Sequence, residues 1–336
     1  MQEYRFRPYA PGDEAAILAT FNRTFREVCG PDFVDRGLAE WRWEFADNPA
    51  GMRVELALAP DGTVAAQYAG VPMRVWTTVG GGRELSFFHA VDSMVHPDHR
   101  KGLRKKPLFV EIAERFFERV GGRLDDLGFG YPVRPAWRIG ERYLGYGLIR
   151  VLDFLLRDAA APLAAPAGVE VAPLREATAE LDDLEARLRG RHPCTTIKDR
   201  RYVAWRYLAA PKGYEVLGAR RDGVLVGWAA VRGEGSLVPG ALTIGDHACD
   251  PEDAEVLRAL VAAARDRAVR DGKDALLTVQ NPRLAPFAAL LALGFVERPS
   301  GDWLERKLGS RDWTAGLDQA WLAEHWQYAL GDSDLF

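Results

Sequence analysis

Cysteine is scarce in this 336-residue chain. Its three thiols, Cys29, Cys194 and Cys249, are scattered and odd in number, which gives no disulfide framework and no metal-ligand spacing. A reducing cytosol is the expected compartment. The sequence also lacks an uninterrupted apolar run long enough to span a bilayer. Its first residues, Met1-Gln2-Glu3-Tyr4-Arg5, are charged where a secretory signal would be apolar. The reading is a cytoplasmic protein with no membrane partner. Basic charge is not in excess: 44 lysines and arginines face 48 acids, for a net charge of -4. No basic stripe runs along a face, so no nucleic-acid partner is expected.

What is present centres on one stretch. The β-prone run Ser86-Phe87-Phe88-His89-Ala90-Val91 leads into Asp92-Ser93-Met94-Val95-His96-Pro97-Asp98-His99-Arg100-Lys101-Gly102-Leu103-Arg104-Lys105-Lys106, and an amphipathic helix over Leu108–Val120 leads out. A strand, a basic glycine-containing turn and a helix N-terminus make a phosphate site, because free N–H groups and the helix dipole both favour an anion there. Lysine and arginine add charge that a polyphosphate can use. A solvated turn on a surface helix has the same composition, and that reading stands beside the first. The turn lacks the Gly-Lys-Ser/Thr ending of a P-loop and, with one glycine, the dinucleotide fingerprint. His96 and His99 flank Pro97 in a loop without a carboxylate or cysteine partner in a known motif, so no metal site is expected.

Along the chain, Tyr4-Arg5-Phe6-Arg7 reads as a strand stopped by Pro8, and residues 13–25 as a helix with Asp13 as N-cap. Residues 54–58 and 64–75 are strands joined by Pro60-Asp61-Gly62-Thr63. Leu127-Gly128-Phe129-Gly130-Tyr131 is a strand, Pro135 opens a helix closing at Leu144-Gly145-Tyr146, and 148–156 is a last strand. The run 159–168, rich in alanine and proline, is a linker by composition. The pattern then starts again. Val169-Glu170-Val171-Ala172-Pro173 echoes the first strand, Trp205-Arg206-Tyr207 echoes Trp41-Arg42-Trp43, Pro211-Lys212-Gly213 echoes Pro49-Ala50-Gly51, and Leu293-Gly294-Phe295 echoes Leu144-Gly145-Tyr146. Echoes kept in order along both halves argue for an internal duplication of an α+β unit, βααβββαβαβ. The expected division is a first domain at 1–157, a linker at 158–168, a second domain at 169–308 and an aromatic tail at 309–336 that packs on the fold. The repeated aromatics Trp41, Trp43, Trp205 and Tyr207 are expected in the core, and Asn281 is placed to cap the last helix of the second copy or, as the second choice, to touch a bound cofactor.

That element order, with a basic glycine loop after the fourth strand and Leu-Gly-Tyr/Phe after the last helix, resembles the GCN5-related N-acetyltransferase (GNAT) fold in two tandem copies. The resemblance implies a mixed, mostly antiparallel twisted sheet flanked by helices in each copy. It implies an acyl-CoA-dependent N-acyltransferase, with acetyl-CoA or another acyl-CoA as co-substrate and the amine of a small molecule, an amino sugar or peptide-like metabolite, as acceptor. The alternative is a catalytically degenerate copy pair acting as a binding or regulatory module. In the family, Val-x-Pro-x-x-Arg/Gln-x-x-Gly-x-Gly/Ala binds the pyrophosphate. Val95-His96-Pro97-Asp98-His99-Arg100 matches its first part, whereas Gly102 arrives one residue early. The implied carrier-binding residues are Met94, Val95, Arg100, Lys101, Gly102, Leu103, Arg104 and Lys105, with backbone N–H groups near Met94 and Val95 as oxyanion donors. Asp92 is the general-base candidate, because a carboxylate in the fourth strand would face the cleft; a hydrogen-bonded strand aspartate is the reading that stands beside it. The family's tyrosine acid corresponds to Glu141 here, and Tyr143 is the nearby candidate. The second copy has no such loop: Asp250-Pro251-Glu252-Asp253-Ala254-Glu255 carries four carboxylates and neither glycine nor a basic residue.

Overall fold

The computed structural model describes residues 3–30, 32–100 and 106–336. The first copy runs β1 (Arg5–Pro8), α1 (Glu14–Cys29), α2 (Leu38–Trp41), β2 (Arg53–Leu58), β3 (Val64–Thr77), β4 (Arg83–Val95), α3 (Leu108–Val120), β5 (Leu127–Gly130), α4 (Arg134–Tyr143) and β6 (Gly147–Val151). β7 (Asp153–Asp158) follows. The second copy runs β8 (Glu170–Pro173), α5 (Glu180–Leu188), β9 (Cys194–Thr196), α6 (Arg200–Val203), β10 (Glu215–Arg221), β11 (Val224–Arg232), β12 (Ala241–Cys249), α7 (Ala254–Arg270), β13 (Ala275–Thr278), α8 (Ala285–Ala292) and β14 (Val296–Pro299). β15 (Lys307–Asp312), α9 (Gln319–His325) and β16 (Trp326–Gln327) complete the chain.

The architecture is mixed α/β with two sheets. One has the order β1-β2-β3-β4-β5-β15-β6, and the other β14-β7-β13-β12-β11-β10-β8. The strand expected over 148–156 is two strands: the chain breaks at Leu152, β6 stays in the first sheet, and β7 pairs antiparallel with β13 and β14 in the second. Reciprocally, β15 pairs antiparallel with β5 of the first sheet. Each sheet therefore takes one inner strand from beyond its own copy. The compact units follow this exchange in part: β7 falls in the second unit and most of β15 in the first, while most of β6 and the adjoining ends of β3 and β4 fall in the second. The first comprises residues 1–73, 86–147 and 309–315, and the second 74–85, 148–308 and 316–336.

In the first unit α3 lays Leu108, Ile112, Ala113, Phe116, Phe117 and Val120 on the sheet around Tyr68 and Phe88. This is the spacing that puts apolar residues on one helical face. Trp313 closes that core against Phe88 and Phe117. In the second unit α7 does the same with Val256, Leu260, Val261 and Ala264 over β10–β13. Asp13 is at the N-cap of α1 but does not cap with its side chain. Its carboxylate instead takes the two-pronged guanidinium of Arg7 at 2.6 and 2.7 Å and the amide of Ala10. An arginine fork offers two charge-assisted bonds, which outbid one helix amide.

After α2 and after α6 the backbone makes a π turn, Arg42–Ala46 and Ala204–Leu208, each closed by an i+5 bond: Asp47 N to Arg42 O at 2.8 Å and Ala209 N to Ala204 O at 2.9 Å. The turns fix the register of the duplication. Trp43 corresponds to Trp205, Glu44 to Arg206 and Phe45 to Tyr207, two residues away from the alignment of the tryptophan motifs expected above. Trp41, Trp43, Trp205 and Tyr207 are buried.

Candidate functional site

β4 carries the residues singled out in the sequence. Asp92 adopts a left-handed conformation, φ 53°, inside the strand. A non-glycine residue at positive φ is uncommon, though aspartate tolerates it better than most. Two groups hold it there. Gln67, fully buried on β3, donates its amide to the Asp92 carbonyl at 3.0 Å. Arg36, buried just before α2, donates to the Asp92 carboxylate and also pairs with Glu44 of the first π turn. The guanidinium lies 5.1 Å from the Phe21 ring and 5.9 Å from that of Phe45, so two aromatic rings flank it. Met94 is buried and Val95 half-buried at the end of the strand.

Beyond β4, Pro97–His99 forms a 3-10 turn, and Arg100 folds back on it. Arg100 Nε donates to the Val95 carbonyl at 3.0 Å and Nη1 to Glu27 of α1 at 3.2 Å. The proposed carrier-binding residues Lys101, Gly102, Leu103, Arg104 and Lys105 lie outside the described residues. α3 then starts at Leu108 after Pro107, with the amides of Val110 and Glu111 bonded to the Pro107 carbonyl. His96 Nδ1 accepts the Asp98 amide at 3.2 Å, and His99 Nδ1 meets the Tyr4 hydroxyl at 2.9 Å. Burial and the nearby Arg23 charge hold the His96 imidazole below its usual range. No group of metal-ligating side chains occurs among the described residues, and no helix among them is long and apolar enough to cross a membrane.

Tyr143 is about half exposed at the end of α4, with the Arg142 guanidinium 5.1 Å from its ring. The buried hydroxyl nearby in sequence is Tyr146, which meets the hydroxyl of Tyr68. Burial pushes Tyr146 up to about 12 and raises Tyr68 well above the ordinary range.

No family model and no curated protein matches the sequence. Solved structures do match in three dimensions. A GCN5-related N-acetyltransferase from Anabaena variabilis aligns with a TM-score of 0.65 at 10% identity, over 93% of this chain and 73% of that one. A GCN5-related N-acetyltransferase from Sphaerobacter thermophilus gives 0.53 at 19% identity, over 94% and 98%. A tandem GNAT protein from the clavulanic acid biosynthesis pathway gives 0.54 at 15% identity, over 94% and 100%.

The fold is that of a tandem GNAT protein. Within it the two copies can be compared position by position. Asp92-Ser93-Met94-Val95-His96-Pro97 of the first unit corresponds to Asp246-His247-Ala248-Cys249-Asp250-Pro251 of the second. Arg36 precedes its π turn by the same interval as Lys198 precedes the other. Lys198 Nζ donates to Asp246, so the basic residue and the strand aspartate form a buried ion pair in both units. Reading the sequence found Asp92 but not Arg36, Glu44, Gln67, Lys198 or Asp246. The recurring Asp-x-x-x-x-Pro spacing was the available signal, and only the π-turn register gives the basic partner.

The N-terminus of α7 differs from that of α3. Asp253 accepts the Val256 amide at 3.2 Å as a helix cap and is held by Arg221 at 2.7 Å. Asp250 and Glu252 both pair with Arg191. Carboxylates here offset the helix dipole themselves.

Proposed function

We propose that the chain transfers an acyl group from acyl-CoA, acetyl-CoA in the simplest case, to the amine of a small cytosolic metabolite, and that the first unit does this work. The observation that carries the reading is the asymmetry of the two strand-to-helix junctions. Val95-His96-Pro97-Asp98-His99-Arg100 and five basic residues over 100–106 precede α3, whereas self-neutralised carboxylates precede α7. The residues at the first junction suit a pyrophosphate: a helix N-terminus, cationic side chains and a glycine that lets the backbone approach.

On this reading the pantetheine thioester lies along the end of β4. Backbone N–H groups at Met94 and Val95 face its carbonyl oxygen and stabilise the negative charge that develops there. The neutral acceptor nitrogen attacks the carbonyl carbon, the C–N bond forms, and the C–S bond breaks to release CoA as thiolate. Asp92 is the proposed acceptor of the ammonium proton, held by Arg36 and Gln67, and Tyr143 the proposed donor to the thiolate. Arg100, Lys101, Gly102, Leu103, Arg104 and Lys105 hold the phosphates. The acceptor class that suits a buried site with carboxylates beside aromatic rings is an amino sugar or a peptide-like amine.

A second reading, a binding module without turnover, draws support from one arrangement. Asp92 and Glu44 are already engaged by Arg36, and Arg100 by Glu27. Thermal denaturation with a panel of acyl-CoAs, followed by mass spectrometry of amine mixtures, separates the two. A carrier present at 100 times its Kd raises stability by about 2.7 kcal/mol. Stabilisation with acylated product supports transfer; stabilisation without product, or no stabilisation by any acyl-CoA, contradicts transfer and supports the module.

A further inference from the structure

In the second unit the place that corresponds to Asp92 is occupied by the chain itself. β12 bulges between its pairings Ala230↔Asp246 and Val231↔Ile244, leaving Gly245 as the extra residue. The ring of Phe336 packs on that glycine so closely that a Cβ there would lie 2.2 Å from ring carbons. Gly331 is pressed equally close on the Tyr207 hydroxyl and the Asp246 side chain, with a Cβ position 2.2 and 2.7 Å from them. Between these points the segment is bound chiefly through its main chain, by side chains of the surrounding unit. Arg206 of the π turn, wholly buried, donates Nε to the Gly331 carbonyl at 2.9 Å and Nη2 to the Ser333 carbonyl at 2.7 Å. The Tyr214 hydroxyl donates to the Phe336 carbonyl at 2.6 Å. Asn281, expected as a helix cap, sends its amide to the carbonyls of Ala323 and Trp326 at 3.0 and 2.9 Å, while its oxygen accepts Arg283 N. β16 adds Trp326 and Gln327 as a parallel strand beside β9.

One acid of the segment goes deepest. Asp332 accepts the Thr196 hydroxyl at 2.8 Å and the Ala329 amide at 2.9 Å.

Buried side chains that spend their donors on main-chain carbonyls, one pocket for a ring and hydrogen-bond donors for an acid side chain are the parts with which proteins read extended peptides. We propose that the cleft at the β12 bulge is a peptide-binding site, for a segment with a carboxylate four residues before an aromatic ring, and that the chain fills it with its own residues 326–336. The second unit then takes neither acyl carrier nor amine. This inference stands apart from the acyl-transfer reading, which concerns the other unit.

Hydrogen exchange on the unmodified chain is the first test. A bound segment leaves without unfolding its host, so amides of 328–336 should be at least about tenfold less protected than those of β11 and β12. In full-length Phe336→Ala the site loses its anchor. A fluorescent peptide of the sequence 322–336 should bind this variant at least tenfold more tightly than the unmodified chain, and the same peptide with Asp332→Ala and Phe336→Ala should not bind. Equal protection of the segment and β12 overturns the proposal, because the segment is then part of the core. Equal uptake of both peptides overturns it too.

Discussion

Asp92 holds a left-handed backbone within a strand, and residues so placed cost roughly 1–3 kcal/mol unless their surroundings compensate. Its compensation is Arg36, whose guanidinium also meets Glu44. Removing one partner of a buried charge cluster costs far more than the intact cluster contributes, because the remaining charges stay desolvated. Arg36→Ala should therefore lower the stability of the chain by about 3–5 kcal/mol, read as a shift of the urea midpoint. A loss below about 1 kcal/mol would mean that the pair is solvated and matters no more than a surface one. Arg100 presents the opposite case. Its bond to Glu27 joins two side chains that are each more than a third exposed, so that pair holds its Nη1 only weakly, while Nε stays on the Val95 carbonyl. Glu27→Gln should raise affinity for acetyl-CoA up to about fivefold at low salt, the equivalent of the ~1 kcal/mol ceiling for an exposed pair. A titration showing weaker binding would place Arg100 outside the phosphate site.

At the level of elements, the buried charge of the second unit reports through pH. Burial pushes Asp332 up to about 6, with Lys198 opposing and Asp246 adding to the rise. A carboxyl raised in the folded state stabilises it fully below the unfolded value near 4, and that contribution is lost as pH rises through 6. His192 and His247 act oppositely: burial first, and Lys198 next, lower both to about 4. As pH falls from 6.5 toward 4 the unfolded chain takes up protons that the folded imidazoles refuse, so stability falls. Asp332→Asn keeps an oxygen for the Ala329 amide and an amide for the Thr196 hydroxyl while removing the buried charge. It should stabilise the chain at pH 8 and change little at pH 4.5, as measured by denaturant unfolding at the two values. A loss at pH 8 would show that Asp332 is held by attraction to Lys198 beyond its desolvation cost. Helices and strands of this kind were readable in advance because their signals are local: apolar spacing in Leu108–Val120, and turn residues at Pro60-Asp61-Gly62-Thr63. What was not readable depends on partners distant in sequence. Asp13 looked like a helix cap until Arg7 took both its oxygens. Residues 148–156 looked like one strand because β6 and β7 have similar composition, and nothing local marks that they belong to different sheets.

For the whole molecule, duplication was legible and the exchange of strands was not. Element order repeats in the sequence, whereas the choice of β15 for the first sheet and β7 for the second is made by pairing across more than a hundred residues. The candidate site was legible in part: the basic junction and Asp92 stand out, but Arg36 and Gln67 approach it from other elements. Duplicated folds leave one copy free to diverge, and here the divergence is one of charge. The first junction is basic. The second is acidic and satisfied by Arg191 and Arg221, and its bulge is filled by Phe336. The most direct measurement is calorimetric titration of acetyl-CoA into three proteins: the unmodified chain, Arg100→Ala with Arg104→Ala, and Glu252→Gln with Asp253→Asn. Charge-assisted hydrogen bonds contribute on the order of 1.5–3 kcal/mol each, so the first pair should abolish measurable binding, and the second pair should leave it unchanged. Binding that survives at Arg100 and Arg104, or disappears at Glu252 and Asp253, would contradict the assignment of the acyl carrier to the first unit.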